Sequence, residues 1–505
     1  MMRKKRLAKN TVSSLSLQLT SVICGMILPR FIIKGFGSEV NGLVNSITQF
    51  LQIIAFLELG VGAVVQAALY KPLAERNDSQ ISAIMVSASV FYRRLAKILL
   101  IYVVILAAVF PILTRQQVDP LFSVLLILAM SISSFAQYYF GIVNGLLLNA
   151  DQLGYISHIS QAVTIILNTL CCIILIQLGS SILLVKFFSS IIYLVRPLFL
   201  KIYVDRKYKI NRKIKYEGEP IKQKWNGVAQ HVSAVVLNGT DSIVLTTFAT
   251  LSDVSIYSVY NMVVYGLNQF FMSLTGGVQA LIGEMWARKE KCSMISFFNY
   301  FEWIVHLGAT FIYTCTGVLI LPFVEVYTAG ILDICYIQPL FAFLITLANA
   351  MNCLRLPYNI MISASGHFKQ TEGIFISSAL INLVLSILMV YKWGLVGVAI
   401  GSVIAMSFQT ILLAYYSSKK LLDRSVNYFL KHLLVDSCVA GMTVFLTNKI
   451  SVETFSYLAW FLGAINVALV CAFVSIIVNA VFYWNNTRII AREMLYRLRK
   501  NIKRN

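Results

Sequence analysis

Between Gly154 and Val185 the chain runs without one Asp, Glu, Lys or Arg, and only Gly179-Ser180 interrupts the run. As a single helix at about 1.5 Å per residue it would reach about 48 Å, far beyond the roughly 30 Å of a bilayer's hydrocarbon core. Two apolar helices joined by a tight turn fit it. Neither has a polar face to show to water, so lipid is the solvent that suits them.

Comparable runs recur throughout the 505 residues, at 12–33, 42–69, 81–113, 121–147, 155–177, 181–203, 225–249, 255–281, 300–322, 335–361, 373–391, 396–416, 433–448 and 457–482. The composition agrees: 58% of the residues are hydrophobic and 12% charged, against about a quarter charged in a soluble domain. The expectation is an all-α integral membrane protein with about 14 transmembrane helices and no room for a sizeable soluble domain.

The formal charge of +21 would suit nucleic acid if it were clustered, but it alternates with the spans. Assigning loops to alternate sides puts 34 of the 42 Lys and Arg on one side and four on the other. Arg30, Lys186, Arg196 and Arg355 remain inside spans. The positive-inside rule then places both termini in the cytoplasm of a bacterial cytoplasmic membrane, with no nucleic-acid partner. The basic N-terminus followed by an apolar stretch resembles a signal peptide. Its apolar stretch is long and no small-residue cleavage pattern follows, so it reads as a retained first span. The nine cysteines show no metal-site spacing and fit small core residues.

The longest polar stretch, DRKYKINRKIKYEGEPIKQK from Asp205 to Lys224, separates two halves that echo each other at an offset of 214 residues. Ser38-Glu39-Val40 matches Ser252-Asp253-Val254, Ala150 matches Ala364, and Asn168 matches Asn382. Six helices per half return the chain to its starting side, so the repeats are parallel, related by an axis along the membrane normal. The expected organisation is a six-helix lobe at 1–203, a cytoplasmic basic linker at 204–224 and a second six-helix lobe at 225–416. An additional helix pair at 417–482 and a basic cytoplasmic tail at 483–505, lying on anionic lipid, complete it.

The segment LPRFIIKGFGSEVNGLVNSITQFLQIIAFLELGVGAVVQAAL resembles the opening of oligosaccharide flippases of the Wzx type, in the multidrug/oligosaccharidyl-lipid/polysaccharide exporter superfamily. Its marks are Arg30, Gly37, Glu39, Gly42 and Leu59-Gly60. NGTDSIVLTTFATLSDVSIYSVYNMV, with Asp241, and ISASGHFKQTEGIFISSALINLVLSILMVYKWGLVGVAIG are similar to later helices of the same family. The resemblance covers roughly residues 10 to 480. It implies two bundles around a central cavity open alternately to either side, and a cargo of undecaprenyl-diphosphate-linked oligosaccharide for surface polysaccharide. Membrane lipids, polysaccharide polymerase and chain-length machinery are the partners it brings. Drug exporters and lipid II flippases share the superfamily and stay open as alternatives.

Such a cargo has a head that hydrocarbon rejects, since each unpaired polar group there costs roughly 2–7 kcal/mol. A groove lined with cations would carry it, because arginine grips phosphate bidentately and lysine as a point charge. Arg30, Lys186 and Arg355 are the candidates for that cationic cavity. Arg196 lies near the basic end of its helix, where snorkelling to the interface suits it better. Glu58 and Asp241, within spans, are candidates for ion coupling or fixed partners of the cations. Glu302 and His306 are one turn apart, a spacing that fits sharing a proton and, more often, a structural pair. Tyr257, Tyr260 and Tyr265 offer rings to sugars or to packing. Flipping makes and breaks no bond, so no enzyme, cofactor or metal is expected. The external loops are short, and nucleophile-elbow, zinc-ligand and phosphate-cradling glycine patterns do not occur.

Overall fold

The computed structural model describes residues 2–58, 61–114, 117–212, 214, 228–275, 278–448, 456–484 and 488, and the secondary structure among them is helical throughout. Among the described residues, ten helical segments are long and apolar enough to cross a membrane. The first half holds α1 (Met2–Phe36), α2 (Ser38–Gln52), α3 (Val61–Glu75), α4 (Asp78–Leu113), α5 (Pro120–Ala136), α6 (Ile142–Ala150), α7 (Gly154–Gln177) and α8 (Ile182–Lys207). The second holds α9 (Val228–Phe248), α10 (Leu251–Thr275), α11 (Val278–Ala287), α12 (Lys291–Tyr327), α13 (Pro339–Leu354), α14 (Leu356–Ser365) and α15 (Phe368–Tyr416). Two further helices follow, α16 (Asn427–Thr447) and α17 (Tyr457–Phe482). The chain is an all-α membrane protein.

Helix starts follow local chemistry. Asn77 and Asp119 accept the backbone N–H groups of Gln80 and Phe122, and Ser181 and Ser456 cap α8 and α17 in the same way. The repeat survives in the element starts. Ser38 and Leu251, Asp78 and Lys291, and Gly154 and Phe368 open corresponding helices 213 or 214 residues apart. The paired spans at 373–391 and 396–416 form one helical run, α15, whose backbone leaves the helix at Gly394 (φ 51°, ψ −127°). That left-handed φ favours glycine. Beyond it, Gly397 packs so closely that a Cβ would meet the Met389 carbonyl oxygen at 2.3 Å.

Three expected spans are broken. The second becomes α2, a 3₁₀ turn over Ile53–Glu58, and α3; Leu59 and Gly60, marks of the resemblance, lie outside the described residues. Backbone groups freed in hydrocarbon must find partners, and here side chains provide them. Tyr102 donates to the Phe50 carbonyl at 2.8 Å, and the His231 ring meets the Ala55 carbonyl at 2.9 Å. The fourth span carries a π-helical turn over Gln137–Gly141 between α5 and α6. The tenth divides at Arg355, and Pro357, in the first turn of α14, has no N–H to give.

The chain packs as two compact units. One comprises Met1–Met262, Gly330–Ile334 and Leu383–Val398; the other comprises Val263–Ala329, Cys335–Asn382 and Ala399–Asn505. Packing therefore follows a different division from the 204–224 linker, because α9 and the start of α10 join the first unit. Gly42 of α2 lies so close to α10 that a Cβ would fall 1.8 Å from the Leu251 carbonyl oxygen. Asn41 donates to the hydroxyls of Ser255 at 2.8 Å and Ser258 at 3.2 Å, and Ser46 meets Thr246 at 2.6 Å. Asn41 and Ser255 stand 214 residues apart, the repeat's own offset. Asp333 closes the same region, accepting from the Ser38 amide and hydroxyl at 2.7 and 2.9 Å. Of the basic linker, 213 and 215–224 lie outside the described residues, as does the tail at 485–487 and 489–505.

Candidate functional site

The sequence candidates fall into three local environments. Arg30 is half-buried in α1, directly after Pro29. Lys186 is half-buried in α8. Arg355 sits in the break between α13 and α14, where its Nη2 donates to the Asn352 side-chain oxygen and its buried Nε has no hydrogen-bond partner. Arg196 does not reach for the interface. Its guanidinium turns inward, donating to Gln137 Oε1 at 3.4 Å and Ser157 Oγ at 3.1 Å. The π-helical turn presents Gln137 there, which α-helical periodicity does not foretell. Among the described residues, none of Lys186, Arg196 and Arg355 is paired with a carboxylate.

The two candidate carboxylates, Glu58 and Asp241, meet tyrosines. Tyr92 of α4 donates to Glu58 Oε1 at 2.9 Å, and Tyr257 of α10 donates to the buried Asp241 at 3.3 Å. A phenol satisfies a carboxylate's lone pairs and leaves its charge in place. Tyr257 and Tyr260 are buried, which makes them packing residues, whereas Tyr265 is exposed and takes a bond from Gln269.

Glu302 and His306 do not share a proton with each other. Glu302 is fully buried and takes two bonds from Arg424, at 2.6 and 2.7 Å, and one from the Tyr358 hydroxyl. Arg424 belongs by sequence to the cations between the spans, yet its side chain is 6% exposed and its guanidinium lies over the rings of Phe298 and Tyr428. His306 pairs instead with Asp436 of α16, Nδ1 to Oδ2 at 2.6 Å. Nearby, Trp303 donates to Asn479 of α17 at 2.9 Å, which ties the terminal helix pair to α12. The i,i+4 spacing points to the wrong partner because the competing groups come from α14, the segment before α16 and α16 itself, more than fifty residues away.

This second unit also has an open cavity of about 580 Å³ between α12, α13 and α16. Its walls are largely apolar, with the hydroxyls of Thr310, Thr314, Thr346 and Ser437 among them and Asp436 as the carboxylate. A site of this size and character holds a small molecule or part of a larger one.

A multi-pass helical membrane protein with cations, carboxylates and a cavity inside its bundles is the class that fold and site define. In structure the chain is similar to the lipid II flippase MurJ in its inward closed conformation. The TM-score is 0.70 at 16% identity, over 94% of this chain and 99% of that one. It is also similar to an inward-facing multidrug resistance MATE family transporter of the MOP superfamily (TM-score 0.64, 13% identity, 81% of this chain and 98% of that one). The eukaryotic MATE transporter AtDTX14 follows with a TM-score of 0.56 at 12% identity, over 93% of this chain and 98% of that one. At these identities the likeness is one of fold. No protein-family model and no curated protein matches the sequence.

Proposed function

We propose that the chain is a flippase that moves an undecaprenyl-diphosphate-linked oligosaccharide from the cytoplasmic to the outer leaflet by alternating access, for surface polysaccharide. It works in a bacterial cytoplasmic membrane with both termini inside. The observation that carries this reading is the set of span cations, Lys186, Arg196 and Arg355, left without carboxylates among the described residues. Uncompensated charge within a bilayer costs several kcal/mol and marks a pathway or a ligand site. An anionic head supplies the missing partner. Arg30, Lys186 and Arg355 line the groove in this reading, spread over the halves 1–203 and 225–416, and Asp241 and Glu58 are the ion-coupling candidates. The membrane potential assists, by about 2.3 kcal/mol per expelled negative charge per 100 mV. Polymerase and chain-length machinery would receive the product.

The test replaces Arg30, Lys186 and Arg355 singly by alanine and measures surface glycan together with the protein's abundance in the membrane. The expected outcome is lost export at normal abundance, with lipid-linked precursor accumulating inside. Normal export per molecule in all three variants overturns the groove.

A lipid II cargo is the second reading, supported by the near full-length fold likeness to MurJ. It carries the same diphosphate chemistry. Rescue of cells depleted of their own lipid II flippase would favour it over the oligosaccharide.

A further inference from the structure

The π-helical turn of the first unit, Gln137–Gly141, presents more than the Gln137 that Arg196 finds. Such a turn takes an extra residue and shifts the phase of its side chains, and π turns recur at functional sites. Here Tyr139 and Phe140, adjacent in sequence, bring their rings to 4.6 Å between centroids, at 66° to each other. Each ring lies under a cation from a different helix. Arg93 of α4 stands over Tyr139 at 5.1 Å, and Lys201 of α8 stands over Phe140 at 5.7 Å. All four residues belong to one unit.

Close packing fixes α8 against the turn. A Cβ on Gly141 would fall 2.7 Å from Gln137 Oε1 and 3.1 Å from the Pro197 Cβ. Pro197 therefore sits against the turn, Arg196 reaches Gln137, and Lys201, one helical turn beyond Pro197, is delivered to Phe140. A cation–π contact orients a charge and leaves it in place. Among the described residues, no carboxylate pairs with Arg93, Arg94, Lys97 or Lys201. Glu58 is taken by Tyr92, which is buried where its neighbour Arg93 is exposed.

Arg93 and Lys97 lie one turn apart on an exposed side of α4, and that side continues through Ile101 and Val104, both exposed. From Ile98 to the end of α4 at Leu113 there is no charged residue. On α8 the side of Lys201 runs back through exposed Leu198 and Ile191. Cations at one level, with apolar stripes leading away from them, match the two parts of a phospholipid: a charged head and its chains. A free phosphate would use the cations alone. The basic side of the spans is also the side where the positive-inside rule puts the cytoplasm, whose leaflet carries anionic lipids.

We propose that Arg93, Lys97 and Lys201 bind the phosphate of an anionic phospholipid of the cytoplasmic leaflet, with its chains along the exposed apolar sides of α4 and α8. The Tyr139–Phe140 pair holds Arg93 and Lys201 in position. Arg93 offers the phosphate a fork of N–H groups, and the lysines add point charges. None of Arg30, Lys186 and Arg355 takes part, so the site does not depend on the cargo proposed above.

Native mass spectrometry tests it on the purified full chain, released from nanodiscs that hold phosphatidylglycerol and phosphatidylcholine in equal amounts. Wild type is expected to keep phosphatidylglycerol in preference to phosphatidylcholine. Arg93→Gln/Lys201→Gln should hold it at least about tenfold more weakly. Lys419→Gln/Lys420→Gln removes the same charge from exposed lysines after α15 and should keep the lipid as wild type does. Excess inorganic phosphate should not displace it. A wild type without preference for phosphatidylglycerol overturns the proposal, with no variant needing to fold. Undiminished retention in Arg93→Gln/Lys201→Gln, an equal loss in the Lys419/Lys420 variant, or displacement by phosphate does the same.

Discussion

Two arginines of the second unit show what a charge inside a membrane bundle can be for. Arg424 meets Glu302 through two bonds, with Asn299 as a further acceptor, and lies among aromatic rings. Arg355 lies at the break between α13 and α14 with one amide oxygen for company and an Nε that has no partner. The first arginine is completed by the fold and holds α12 to the segment that leads into α16. The second meets no carboxylate among the described residues, and in the proposed function an anionic cargo supplies its counter-charge. Burial alone does not distinguish structural from functional charge; neutralisation does.

The largest expected effect separates the pair on stability. Arg424→Ala leaves Glu302 as an uncompensated charge at zero exposure, which costs about 3–5 kcal/mol. Thermal unfolding in detergent and membrane abundance should both fall sharply. If Arg355→Ala destabilised the protein as much, the comparison would collapse.

An intermediate effect is expected on transport. Arg355→Lys keeps the point charge and loses the bidentate fork, so it should retain part of the export that alanine abolishes. A charge-assisted contact is worth about 1.5–3 kcal/mol, or roughly ten- to hundredfold in rate if made only in transit. Folding stability should stay within about 0.5 kcal/mol of wild type. Full activity in the lysine variant would reduce Arg355 to a generic positive charge.

A modest stability change belongs to the tyrosine-held carboxylates. Asp241→Asn and Glu58→Gln keep an oxygen for Tyr257 and Tyr92 and remove the charge, so the cost should be about 1 kcal/mol. If either binds a coupling cation, its variant loses the dependence of transport on the ion gradient. Gradient dependence retained in both would place them with Glu302 as architecture.

The sequence alone determined the solvent, the element type and the rhythm of the chain. Apolar runs such as Gly154–Val185 and their basic flanks are properties of composition along the chain, and the bilayer enforces them residue by residue. The repeat was legible for the same reason, since offset matches such as Ser38 with Ser252 need no contact to be seen. The turn at Gly394 was legible as a gap between two runs. Partnership was not. Glu302 was read with His306 because helical spacing sees only neighbours, and a buried carboxylate takes the strongest donor that tertiary packing brings, here Arg424 from beyond α15. Asp436 stood in the sequence as one acidic residue in an apolar helix; only packing placed it on a cavity wall against His306. Arg196 likewise looked free to snorkel until the π-helical turn offered it Gln137. Hydropathy is local and additive, so a sequence carries it openly, whereas the pairing of charges depends on which distant helices meet, and tertiary structure alone decides that.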